Sequence, residues 1–305
     1  MGDAKHAAGT AGDVVLPYLA AQAEAARGQL PGALRGDHDA VHELRVALRR
    51  SRATLQAFRS VLVREQTDAL VEELRWLGRE LGELRDLQVQ EARIEAAIEG
   101  LDGSVPCPSG EIGEWFAAAA AEAARRATAA LESTRARSVL AAVEALPAHP
   151  PRTAAPAAAR DALPAAIAAA ARRARRRWRH ARDLPLGDAR DHALHELRKA
   201  VKRLRYAAEL SAPALGDDAA RLTEAAAALQ GLLGEHQDSV VTRGVLLELA
   251  DEPGLHADDG FGLGWLAREQ QVRAEALEPH IADAWHSVRQ AAKRVAGRGS
   301  GATPG

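Results

Sequence analysis

The chain's 305 residues suffice for one large core or two modest ones, and a composition rich in alanine, leucine, arginine and glutamate with 3% aromatics points to an all-α fold. One cysteine, Cys107, excludes an internal disulfide, the N-terminus lacks a secretory pattern, and no apolar run nears the ~20 residues that cross a bilayer, so a soluble cytoplasmic protein is expected. A net charge of −2 excludes a uniformly basic surface but not a basic patch, because a ligand meets the local field.

Gly- and Pro-rich breakers leave helices predicted near 13–29, 38–63, 66–100, 111–146, 157–183, 188–211, 217–250 and 262–296, with a disordered tail over 297–305. The proline-rich stretch from Pro147 to Pro156 divides these helices into two groups of four, so two halves are expected, 14–146 and 157–296.

The second predicted helix carries "VHELRVALRRSRATLQAF" from Val41. At about 100° per residue, His42, Arg45, Arg49 and Arg52 fall within an arc of about 80°, beside an apolar seam of Val41, Leu44, Leu48 and Leu55. Four such groups along roughly 15 Å of helix repel one another by tenths of a kcal/mol per pair, so acids from other helices or an external polyanion must offset them. Arginine suits the polyanion, since its planar fork makes bidentate hydrogen bonds to phosphate at any working pH.

The third helix contains "LGELRD" from Leu81, in which Arg75, Arg79, Gly82 and Asp86 share one face. Gly82 would admit a close neighbour, and Asp86 would orient an arginine from the adjacent helix. The fifth holds "ARRARRRWRHARD", from which Arg172, Arg173, Arg176 and Arg179 are candidate ligand contacts.

The sixth repeats the second: "LHELRKAVKRLRYAAEL" sets His195, Arg198, Lys202 and Arg205 beside Leu194, Leu197, Val201 and Leu204, with Lys199 and Tyr206 alongside. His195 follows His42 by 153 positions (195 − 42), and Asp238 of "LGEHQD" in the seventh helix follows Asp86 by 152 (238 − 86). Two landmarks in one order at nearly one offset indicate duplication. Arg50 and Arg203 also match but point away from the stripe, so they are expected only at the rim. Asp238 is the second candidate orienting carboxylate, and the second copy has Ala227 and Gly231 where the first has Arg75 and Arg79, so the site should be asymmetric.

The two His-Glu-Leu-Arg helices and the two segments "LGELRD" and "LGEHQD", in alternating order within about Val14 to Val295, resemble the CHAD family, the conserved histidine α-helical domain. The resemblance implies two four-helix bundles related by a pseudo-twofold axis, with a basic central cavity that binds inorganic polyphosphate, and association with polyphosphate granules. It puts the family's histidine on His42 and His195, its arginines on Arg45, Arg52, Arg198 and Arg205, and its Lys/Arg positions on Arg49 and Lys202. His236 and Gln237 stand where Leu84 and Arg85 do in the first copy. Some relatives carry a triphosphate-tunnel domain with a Glu-x-Glu-x-Lys strand; that motif is absent, so a stand-alone module is expected.

Polyphosphate binding is therefore the leading expectation, salt-sensitive and tighter as pH falls toward 6 through His42 and His195. Nucleic acid is the first competitor and is expected to compete weakly, because Phe58, Trp178 and Tyr206 are scattered rather than arrayed for stacking. Catalysis is not expected: no Glu-x-x-His is present for a di-iron bundle, and His38 with His42 and His192 with His195 have metal spacing only at helix starts. No cofactor and no metal is expected.

Overall fold

The computed structural model describes residues 9–59, 62–101, 105–146, 148, 159–251 and 257–299. The regular elements among them are helices, as expected: α1 (Ala11–Leu34), α2 (His38–Ala57), α3 (Arg64–Glu80), α4 (Glu83–Glu99), α5 (Ser109–Glu132), α6 (Thr134–Ala145), α7 (Ala159–Asp183), α8 (Asp188–Leu215), α9 (Asp217–Ala250) and α10 (Ala257–Gly299). None is long and apolar enough to cross a membrane.

Two predicted helices of the first half are each broken in two. The helix expected over 66–100 stops at Leu81 and restarts at Glu83, and that expected over 111–146 breaks at Ser133, whose hydroxyl accepts from the Ala136 amide and caps α6. Their second-half counterparts, α9 and α10, run unbroken. In the opposite direction, α1 and α8 run past the ends expected at 29 and 211 and absorb Pro31 and Pro213. Each proline costs a backbone hydrogen bond, but the turns around it bury Gly32 and Ala33 in α1, and Leu210 and Ser211 in α8. The expected tail is helical through Gly299; its remainder, like Pro147 and the 149–158 stretch of the proline-rich divide, lies outside the described residues.

Sharp turns keep sequential helices antiparallel neighbours. Gly36, at φ 78°, precedes Asp37, whose carboxylate caps α2 by accepting from the Asp39 and Ala40 amides. Gly216, at φ 73°, is the sole residue between α8 and α9, a conformation in which a Cβ would be strained.

The core falls into three clusters rather than one per half. The first joins α1, α2, α3, the end of α5, α6, the start of α7 and Leu210 of α8, with Phe58, Leu44, Leu48 and Leu55 fully buried. The second joins α8, α9, the rest of α7 and the C-terminal part of α10 around Leu197, Val201 and Leu204. The third unites Ile94 of α4 and Phe116 of α5 with Leu246 of α9 and Leu263 of α10, so the halves share a core and α7 threads two of them. The apolar seams of both basic helices are buried, as their periodicity requires, except Val41 at the start of the first, which is partly buried.

Contacts between the halves locate the internal twofold axis. The Thr242 hydroxyl donates to Gln90 Oε1 at 2.6 Å, and these residues are 152 apart, the duplication offset, so each touches its own repeat equivalent. Where α2 crosses α8, Arg203 Nε donates to Gln56 Oε1 at 3.1 Å while Arg50 Nη2 lies 3.7 Å from Glu209 Oε1. Positions 50 and 203, and 56 and 209, are equivalents, so this is one contact made twice.

Candidate anion-binding site

Because α2 and α8 cross, their cationic stripes converge. Lys202 is the focus: burial first, then the charges of Arg198, Arg49, Arg205 and Arg52, push its ammonium down to about 7. Two of those arginines come from each half. Arg52 is lowered by burial and then by Arg75 of α3 and Arg49. The Nε atoms of Arg198 and Arg205 and Nδ1 of His195 are buried without a hydrogen-bond partner among the described residues. A protein interior normally pairs such donors, so this cluster is held together against its own electrostatics by the apolar seams behind it.

Arg49 Nε donates to the Tyr206 hydroxyl at 3.1 Å, and the Arg205 guanidinium lies 4.9 Å from the Tyr206 ring centroid. Arg45 approaches Asp86, Nη2 to Oδ1 3.5 Å, the orientation expected from the sequence. The expected close neighbour of Gly82 is the same guanidinium: a Cβ there would lie 3.0 Å from Arg45 Nη2 and 2.9 Å from the Gly78 carbonyl. Gly234 faces Arg198 in the equivalent way, with 3.5 Å to Nη2.

At the other end of the first stripe, His42 and Arg45 line a cavity of about 270 Å³ with His38, Arg85 and Gln88. His42 is exposed there, whereas His195 is half-buried. Burial and then Lys199 hold the His195 imidazole below its ordinary range, against a hydrogen bond with Gln237. The two histidines are thus equivalent in sequence but not in environment. His38 Nδ1 lies 3.2 Å from Gln88 Nε2, and among the described residues no three metal-ligating side chains converge.

Several expected contacts sit elsewhere. Asp238 pairs with Arg93 of α4 at 3.5 Å rather than with an arginine of α8, so it ties the halves together instead of orienting the stripe. Lys199 is exposed and held by Glu196 at 2.7 Å, which also draws Arg177 to 3.6 Å. Arg75 pairs with Glu72 while its charge still reaches Arg52, and Arg79 is exposed one turn further along α3. The arginines of α7 divide between two faces. Arg173 reaches the cluster, where after burial it is the largest influence pushing Arg203 down to about 10; Arg176, on its side of the helix, is exposed. Arg172 and Arg179 face α10 instead.

Arg203 corrects the sequence reading. The helical wheel put it at a rim, but where α2 and α8 cross it bonds Gln56 of α2 and is partly buried among Arg173, Arg52 and Arg75. The signal that could have found it was the polar pair Gln56 and Glu209, repeated at matched positions beside apolar seams. His236 was noted only as a departure. It is 1% exposed and lies 3.5 Å from Asp191, within a network that Arg243 extends to Asp188.

Comparisons with known proteins bear on the family and the fold. The family model for the CHAD domain matches residues 17–247. PptA from Streptomyces chartreusis superimposes with a TM-score of 0.80 at 24% identity, covering 91% of this chain and 99% of its own. The crystal structure of the CHAD domain from the plant Ricinus communis superimposes with a TM-score of 0.71 at 25% identity, covering 94% of this chain and 95% of its own. An uncharacterized protein of Mycobacterium tuberculosis is 36% identical over 106 residues, 35% of this chain and 20% of its own length, so the match spans about a fifth of that relative. A family match over most of the sequence, on an all-helical fold with duplicated His-Glu-Leu-Arg helices, establishes that the chain belongs to the CHAD family.

Proposed function

We propose that this protein binds inorganic polyphosphate in the cleft where α2 and α8 cross, and that this binding holds it on polyphosphate granules in the cytoplasm. The observation that carries the reading is the position of Lys202, partly buried among Arg49, Arg52, Arg198 and Arg205. Cations gathered from separate halves of a fold, with Nε donors unpaired among the described residues, are an arrangement that a chain of phosphates stabilises and a neutral ligand does not. The general link of the CHAD family to polyphosphate supports the same ligand.

The role is binding rather than catalysis, since hydrolysis would need metal-holding carboxylates or an activated nucleophile beside the cations. Nucleic acid and other polyanions are the alternative ligands for this cleft. Tyr206 is buried there and bonded to Arg49, so its ring is not a platform on which bases stack.

The test is a titration with long-chain polyphosphate at two salt concentrations, on the native chain and on the Arg45→Ala/Arg49→Ala/Arg198→Ala/Lys202→Ala variant, with folding followed by circular dichroism. Tight, salt-sensitive binding lost by the folded variant is the expected result. Equal binding by both proteins would remove the cleft as the site.

A further inference from the structure

The face between α7 and α10 carries a second concentration of cations that the cleft does not use. Two adjoining cavities of about 380 and 390 Å³ share Arg175, Trp285 and Arg289. Arg172, Arg179 and Arg182 continue the α7 side, and Lys293 continues the α10 side. Among the described residues no carboxylate lines either cavity; the nearby Asp183 engages Arg182 at one end, at 2.8 Å. The arginines recur at helical spacing over ten residues, a track about 15 Å long.

What separates this groove from the cleft is its floor. Trp178 stacks on Trp285 with centroids 5.8 Å apart and planes inclined by 26°, and Ala171, Leu204, Val288 and Ala292 extend the apolar surface. Trp285 is buried and Trp178 keeps part of its surface exposed. A bare phosphate chain has no apolar body to lay on such a floor, whereas a ligand alternating planar rings with phosphates uses both the floor and the cationic walls. We propose that the α7/α10 groove is a distinct binding site for single-stranded nucleic acid. α8 separates it from the cleft, since Leu204 contributes to the groove floor while Lys202 and Arg205 belong to the cluster.

The test is fluorescence anisotropy of a labelled oligodeoxythymidine with the full chain, run beside the polyphosphate titration. The Arg175→Glu/Arg289→Glu variant changes two exposed side chains, so it should fold, as circular dichroism will verify. It is expected to weaken oligonucleotide binding by at least about tenfold while leaving polyphosphate affinity within about twofold. An abasic oligonucleotide of equal length should bind about tenfold more weakly than the thymidine one, and Trp178→Phe should retain binding. Three results would overturn the proposal: oligonucleotide binding unaffected by the groove variant, polyphosphate lost in parallel with the oligonucleotide, or equal affinity for the abasic strand. The outcome is independent of the cleft, because a protein that failed to bind polyphosphate could still bind the oligonucleotide here.

Discussion

Arg49 Nε donates to the Tyr206 hydroxyl at 3.1 Å, across 157 residues of sequence, and so fixes one basic helix against its duplicate. Tyr206 is 3% exposed, and its hydroxyl is the acceptor that holds an arginine at the edge of the cluster. Tyr206→Phe keeps the ring under Arg205 and removes that acceptor. Urea unfolding should show a loss of about 1 kcal/mol, since Arg49 can turn to water. Polyphosphate affinity should fall by less than Arg49→Ala causes, because the charge stays in place.

The pH response should come from Lys202. Its ammonium is held at about 7 in the folded protein against an ordinary 10.5, and polyphosphate favours the charged form, so binding takes up a proton. Affinity should be fully developed below about pH 7 and weaken as pH rises above it. Stability of the free protein has the opposite sign: between about 7 and 10.5 the unfolded chain binds more protons at this residue, so its contribution rises with pH. Calorimetric titrations in buffers of different ionisation heat, paired with urea unfolding, should give both slopes, and Lys202→Met should flatten both. Proton uptake unchanged in that variant would assign the response elsewhere. The tightening expected toward pH 6 from His195 moves further into acid, since burial and Lys199 hold that imidazole below its usual range.

Equivalent glycines should respond differently to a methyl group. At Gly82 a Cβ meets Arg45 Nη2 at 3.0 Å and the Gly78 carbonyl at 2.9 Å, so Gly82→Ala should destabilise by about 1–3 kcal/mol and displace Arg45. At Gly234 the nearest atom, Arg198 Nη2, is 3.5 Å away, an ordinary contact. Gly234→Ala in the uninterrupted α9 should be neutral or stabilise by up to about 1 kcal/mol. Thermal melts of the two variants check the contrast; equal losses would refute it.

Salt should report how many cluster cations meet the ligand. Each cation that contacts phosphate contributes about one unit to the slope of log affinity against log salt, by analogy with nucleic acids. Arg52→Gln should lower the slope by about one. The same change should leave the protein as stable or more so, because Arg52 lies among Arg75 and Arg49 with burial against it. A drop in affinity with an unchanged slope would mean that Arg52 acts through packing.

The all-helical class, the duplication, the buried seams and the stripe residues were legible in the sequence because they depend on local periodicity: about 100° per residue orders a face, and an offset of 152 or 153 orders two copies. That Asp86 meets an arginine of a neighbouring helix was legible from the glycine beside it, but the single face expected for Arg75, Arg79, Gly82 and Asp86 is divided, because the helix breaks between α3 and α4. Facts that depend on how helices cross were not. No periodicity tells that Arg203 lies against α2, that Asp238 meets Arg93 of α4, or that the face of Arg172 meets α10 while that of Arg173 meets the cluster. Nor does it tell that Lys202 sits among four arginines, because two of them arrive from a helix about 150 residues away. Sequence sets which side chains share a face; the packing of the apolar seams decides what each face meets, and the electrostatics of the cluster follow from that packing.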